Sequence, residues 1–304
     1  MKSAEVLHVY DSEYAQAYND RFLLLPHTKI NVDFELDLLR EHLSPEARWL
    51  DIGCGTGYFL SQFAGVPRAG YDLSPAMLAR ARAASPDALF FREGDFRHAV
   101  PEWQEQWSLV SCMWAAYAYA ESVKEIEQVV ANMIAWTKPG GTVFIPVLDL
   151  EDLRNVPISY YEDDDLFNGS LLITSCSWTW TERDTGKTHE HLVSPHVGHF
   201  AHLLAPHFDA VAVVRYPETK AGWSPRKAVL ATGRRAAPNA AQPGRVTWPA
   251  ASRPAAPAPL AAPASARPAA RPAAGLSHQE LWQEMARRLR PARLWAALRR
   301  RISA

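Results

Sequence analysis

Three cysteines among 304 residues, Cys54, Cys112 and Cys176, stand far apart in the chain. That spacing argues against a disulfide framework and gives no paired ligand set for zinc, so free thiols and no metal are expected. Apolar runs are short: none reaches the ~18 residues of a membrane-spanning helix. The first twenty residues contain no apolar signal-peptide core, and a cytoplasmic location is expected. Acids are scarce at one end. From Arg234 to Ala304 there are thirteen arginines against only Glu280 and Glu284, so an acidic body is joined to a cationic tail within a net charge of −1. Glycine is sparse too, with 15 in all, and three of these fall at Gly53, Gly55 and Gly57.

Those glycines follow the apolar run "RWLDIG" and precede "TGYFLSQFA". Further short apolar runs, "RAGYDL", "LFFREG", "SLVSCMW" and "GTVFIPVL", alternate with helical patterns such as "SPAMLARARAA" and "SVKEIEQVVANMIAWTK". Such alternation predicts βαβ units and a mostly parallel sheet covered on both faces. Upstream, Val32, Leu36, Leu39 and Leu43 lie on one helical face that Pro45 closes. After Asp149, "SLLITSCSWTWTERDTGKTHEHLVS" reads as an antiparallel hairpin around "RDTGK". "VGHFAHLL" follows as a helix, and "AVAVVRYPE" with "RKAVLATGRR" as a terminal strand pair.

A strand, a glycine turn and a helix often hold a phosphate. Here Gly57 is followed by Tyr58 and Phe59 rather than lysine and a hydroxyl, and Asp51 precedes the turn, where it would repel an anion. Asp72 ends the second strand, where a carboxylate can accept from both hydroxyls of a ribose. Ser74 and Pro75 have the form of a helix cap and first turn, and Asp95 ends the third strand.

In this order and spacing, "LDIGCGTG", "YDLSPAMLARAR", "EGDF", "SLVSCMWAAYAY" and "WTKPGGTVFI" resemble the motifs of the class I S-adenosylmethionine-dependent methyltransferases, over roughly residues 30–150. The resemblance implies an α/β fold: a Rossmann-like, seven-stranded, mostly parallel sheet with helices on both faces and an antiparallel hairpin inserted after strand 5. It implies S-adenosyl-L-methionine as cofactor and S-adenosyl-L-homocysteine as product. Gly53, Gly55 and Gly57 would pack on the methionine portion, with Asp51 toward its amine directly or through water. Asp72 would bind the ribose, Asp95 and Phe96 the adenine, and Met113 the cofactor near the mouth of the site, with Cys54, Leu73 and Met77 as further cofactor-binding residues. Trp107-Ser108 departs from the aromatic–aspartate pair that often begins the fourth strand.

Methyl transfer depends chiefly on alignment, so acceptor residues vary. The nearest likeness is to enzymes of small molecules and amino sugars, by which Tyr14 and Tyr18 would either form a lid or pack an N-terminal helix onto the body. His189 and His191 alternate, so a regular strand would turn both to one side. Packed or exposed roles compete for each histidine, and the candidate bases are His191 and then His199, with Tyr14 as a further catalytic candidate. The acidic run Glu162–Asp165 reads as a solvated loop. The principal expectation is O-methylation of a sugar or glycan. The alternatives are N-methylation of a nucleotide-linked amino sugar, or a non-catalytic scaffold that holds the cofactor.

The expected domains are a methyltransferase body at 1–235, a disordered Pro/Ala-rich linker at 236–275 and a basic amphipathic helical tail at 276–304. Tryptophan and arginine in that tail suit a peripheral membrane contact or a partner protein better than nucleic acid. The oligomeric state is left open.

Overall fold

The computed structural model describes residues 3–149, 175–219 and 225–249. The acidic run at 162–165 and the tail at 276–304 lie outside the described residues.

Two short helices, α1 (Ser3–Val9) and α2 (Ser12–Tyr18), lead through a π turn (Asn19–Leu23) into α3 (Pro26–His42). Strands and helices then alternate: β1 (Trp49–Ile52), α4 (Tyr58–Ser61), β2 (Arg68–Asp72), α5 (Pro75–Ala84), β3 (Phe90–Glu93) and β4 (Trp107–Ser111). A 3-10 segment (Met113–Tyr119), α6 (Val123–Trp136) and β5 (Thr137–Val147) follow. The hairpin β6 (Ser175–Thr181) and β7 (Thr188–Pro195) precedes α7 (Val197–Leu204), β8 (Phe208–Arg215), β9 (Lys227–Arg234) and β10 (Arg245–Thr247).

The main sheet has the order β10-β8-β9-β5-β4-β1-β2-β3, and the hairpin forms a separate two-stranded sheet. Pairings among β1 to β5 are parallel, whereas β9 runs antiparallel to both β5 and β8. Alternate strand residues enter opposite cores, as buried parallel strands should. Leu50, Ile52, Val110, Val143 and Ile145 meet α6 and α7 on one face. Trp49, Leu109 and Phe144 meet Val32, Leu36 and Leu39 of α3 on the other. Local signals agree with the tertiary ones. Ser74 Oγ accepts from the Met77 amide at 3.2 Å with Pro75 in the first turn of α5, and Ser122 caps α6 in the same way.

Among the described residues the sheet has eight strands rather than the seven expected, and the eighth lies in what reads as linker. Val246 and its neighbours pair in parallel with Ala210–Ala212 on the outer edge of β8. A three-residue edge strand needs only backbone partners, so the Ala/Pro-rich composition does not exclude it. Gly244 permits the approach, because a Cβ there would lie 2.0 Å from the Phe208 carbonyl. The ordered body therefore continues beyond residue 235.

From β1 the chain moves outward through β2 and β3, then returns to place β4 on the other flank of β1. The crevice beyond the carboxyl ends of β1 and β4 is thus a topological switch point, where ligands of such sheets bind.

Candidate active site

A cavity of about 600 Å³ opens at that switch point. One end is bounded by the turn after β1. Gly53, Gly55 and Gly57 all have left-handed backbone, with φ of 63°, 53° and 68°. The amides of Gly53 and Cys54 bond the Tyr71 carbonyl at 2.7 and 3.2 Å, and that of Gly57 bonds the Cys54 carbonyl at 2.9 Å. The Gly55 amide donates to Asp72 Oδ2 at 2.8 Å. Four amides that could cradle a phosphate are already committed, so this turn does not offer the anion nest of a phosphate loop.

Asp72 ends β2 and lines the cavity. Its other oxygen accepts from the Ser74 amide at 2.8 Å. Burial raises its pKa, and the backbone amides oppose that rise. Cys54, Leu73, Met77, Phe96 and Met113 also line the cavity, as does Asp95. Asp95 is held by Arg97, whose Nη2 lies 2.6 Å from Oδ2. Burial would raise the Asp95 pKa, but Arg97 outweighs it and keeps it below the ordinary value. A Cβ on Gly55 would find no atom within 4 Å, so a side chain there would occupy the space a ligand needs. Carboxylates for a diol, apolar walls for a base and a close backbone approach suit S-adenosylmethionine.

Two residues expected at the cofactor, Asp51 and Gly57, are not among those lining the cavity. Asp51 is buried, does not line the cavity, and accepts from Ser111 Oγ at 2.6 Å. Burial pushes its pKa up to about 8, so at neutral pH it is largely protonated rather than a ready counter-charge for an amine. Gly57 packs α5 against the turn, where a Cβ would lie 2.8 Å from Ala81 Cβ.

Beyond β4, Trp114 and Ala115 take left-handed φ values of 54° and 57° in succession. Neither is glycine, and each such residue costs about 1–2 kcal/mol. Trp114 is anchored by its indole hydrogen bond to Glu35 Oε2 at 2.9 Å and by Arg226, 4.9 Å above the ring. Burial raises the Glu35 pKa to about 7, against hydrogen bonds from Tyr216 and Trp114.

The far end of the cavity is aromatic. Tyr10, Tyr14, Tyr18 and Phe22 come from the N-terminal helices, Tyr119 from the segment after β4, and Trp178 and Trp180 from the hairpin. Tyr14 is thus at the cavity, its phenol bonded to Glu182 behind the wall. The other two catalytic candidates are elsewhere. His191 points outward, with its side chain 75% exposed. The alternation that pairs it with His189 fails because the hairpin register slips: Trp178 faces Leu192, Trp180 faces His189, and His191 takes a φ of 55°. This is a bulge, and the extra residue reverses the facing. His199 lies on α7 with Nε2 3.0 Å from Glu127 Oε1 and does not line the cavity. His189 is fully buried against the aromatic wall, and sequence spacing assigns neither it nor Tyr10, Tyr119, Arg21 and Glu182 to the site. Nothing in local spacing links these five positions.

A doubly wound sheet whose glycine turn bonds a strand-end carboxylate instead of a phosphate suits a nucleoside cofactor at the switch point. Residues 50–141 match the methyltransferase domain family. It is 32% identical over 111 residues to dTDP-3-amino-3,4,6-trideoxy-alpha-D-glucopyranose N,N-dimethyltransferase of Streptomyces venezuelae, covering 36% of this chain and 46% of the relative. It is 30% identical over 145 residues to dTDP-3-amino-3,6-dideoxy-alpha-D-glucopyranose N,N-dimethyltransferase of Streptomyces fradiae, covering 45% and 53%. The chain thus spans about half the length of these curated relatives. Among solved structures, the DhpI-SAM-HEP complex shares the fold at 18% identity and a TM-score of 0.50, over 75% of this chain and 96% of that one.

Proposed function

We propose that this protein transfers a methyl group from S-adenosylmethionine to the amine of a nucleotide-linked amino sugar. The observation that carries the proposal is a single cavity running from the Gly55–Asp72 end to the tyrosine-lined end, with room for donor and acceptor together. The cofactor supplies a methyl group already activated on a sulfonium. The chain's own part is to align the two molecules and exclude water, which can account for much of the rate.

Nitrogen is preferred over the oxygen acceptor expected above. Both curated relatives described here are named as N,N-dimethyltransferases of amino sugars. Aromatic faces and phenols suit a sugar ring with a polar substituent. Among the described residues no helix is long and apolar enough to cross a membrane.

The test is methyl transfer from labelled donor to a panel of dTDP-linked amino sugars and their hydroxyl counterparts, followed by mass spectrometry. Methylated amino sugars are expected, with the hydroxyl counterparts unchanged. Methylation of the hydroxyl compounds alone would return the reading to an oxygen acceptor, and no transfer to any acceptor would favour a cofactor-binding scaffold.

A further inference from the structure

Behind the aromatic wall runs a chain of hydrogen bonds whose direction is set at its buried end. The Glu182 side chain, 1% exposed, accepts from Arg21 Nη2 and Thr185 Oγ1 at 2.5 Å each and from the phenol of Tyr14. His189 Nε2 lies 2.9 Å from its Oε1. Burial opposes the charge of Glu182, but these donors outweigh it and hold the pKa at about 2. Glu182 is therefore a carboxylate that can only accept, and His189 Nε2 must carry the hydrogen.

Burial also lowers the pKa of His189, helped by Lys187 and Arg21 and opposed by Glu182. Around the ring stand Tyr10 and Tyr14 from the N-terminal segment, Tyr119 from the segment after β4, and Trp180 stacked at 4.7 Å. A neutral imidazole with hydrogen on Nε2 has a bare Nδ1. That atom is 2.8 Å from the Tyr119 oxygen, so Tyr119 donates to it. The 2.5 Å contact between Tyr119 and Tyr10 must then have Tyr10 as donor. Tyr10 and Tyr119 line the cavity, while His189 and Glu182 lie behind it. Every hydrogen in the chain points away from the cavity, and the Tyr10 oxygen is left with lone pairs to offer.

We propose that this chain takes up the proton that an ammonium acceptor must lose before it can attack. Tyr10 accepts the N–H proton, its own hydrogen passes to Tyr119, and that of Tyr119 passes to His189 Nδ1. The electron pair of the broken N–H bond stays on nitrogen as the attacking lone pair. The positive charge comes to rest as an imidazolium against Glu182. Tyr10 meets the acceptor directly; Tyr119, His189 and Glu182 act through it as positioning residues. This role rests on the amine-acceptor reading above.

Nitrogen-15 NMR of the histidine ring nitrogens in the full chain tests the direction without turnover. At neutral pH, His189 is expected neutral with hydrogen on Nε2. Hydrogen on Nδ1, or an imidazolium, would overturn the relay. With a dTDP-linked amino sugar as acceptor, Tyr119→Phe should lower kcat about ten- to a hundredfold and shift the acid limb of its pH profile, with KM for the cofactor unchanged. An unchanged kcat and pH profile would also overturn it. If the wild type methylates none of these sugars, the amine-acceptor reading fails, while the NMR result still decides the relay's direction.

Discussion

The two ends of the cavity are built on opposite plans. At the donor end the backbone shapes the site: a turn of left-handed glycines, one strand-end carboxylate and amides committed to β2. At the acceptor end side chains shape it, and they come from the N-terminal helices, the segment after β4 and the hairpin. A site made by backbone depends on a few neighbouring residues and tolerates little. A site made by converging side chains can change its chemistry while the sheet stays the same.

The sharpest way to break the donor plan is at Gly53. A Cβ there would lie 2.4 Å from Ala116 Cβ on a backbone of φ 63°, so Gly53→Ala should cost about 3 kcal/mol and abolish cofactor binding. Gly55→Ala meets no protein atom. It should cost only about 1 kcal/mol, yet still weaken the cofactor by filling its space. Urea unfolding and calorimetry on both variants separate strain from obstruction, and equal losses would remove the distinction.

At the acceptor end, Glu182→Ala strips the shared partner from Arg21, His189 and Tyr14. Removing one member of a buried charged network costs about 3 kcal/mol. A thermal midpoint within a degree of wild type would show that the network carries no stability.

The two ends should also respond oppositely to pH. Beneath the donor end, burial raises Asp51 to about 8 and Glu35 to about 7, so the folded chain keeps protons that the unfolded chain releases near 3.8 and 4.5. Their stabilising contribution is fully present below about pH 4 and is lost progressively as pH rises to the folded values, by about 4 kcal/mol between pH 6 and pH 8. His189 has the opposite sign. Burial holds its folded pKa below the ordinary value of 6.5, so its contribution is present above that pH and is lost as pH falls below it. Unfolding free energies across pH should show Asp51→Asn flattening the alkaline slope, with His189→Gln changing only the acid side.

The smallest effect is expected at His191. His191→Ala leaves the cavity untouched and should change stability by less than about 0.5 kcal/mol, with methyl transfer unaffected. Loss of turnover would return that histidine to the site.

The same contrast explains what the sequence could tell. Asp72 and the glycine turn are read from adjacent residues, because a strand followed by a tight turn has one local geometry. The order of β1 to β5, the helix caps and the hairpin follow from periodicity and turn chemistry. The burial of Asp51 against Ser111 is not legible, because spacing locates a residue on β1 but not the depth of its carboxyl. His191 is misplaced because a single bulged residue inverts alternation. The Tyr10–Tyr119–His189–Glu182 chain joins positions 10 to 189 in sequence through tertiary packing alone. β10 is not legible in the sequence because an edge strand needs no apolar pattern.

Calorimetric titration of S-adenosylhomocysteine into wild type and Asp72→Asn tests the central claim most directly. The account predicts saturable binding to the wild type and affinity at least about tenfold weaker in the variant, since the neutral amide is a poorer acceptor for the ribose diol. Equal affinity in the two proteins, or no binding to the wild type, would contradict it.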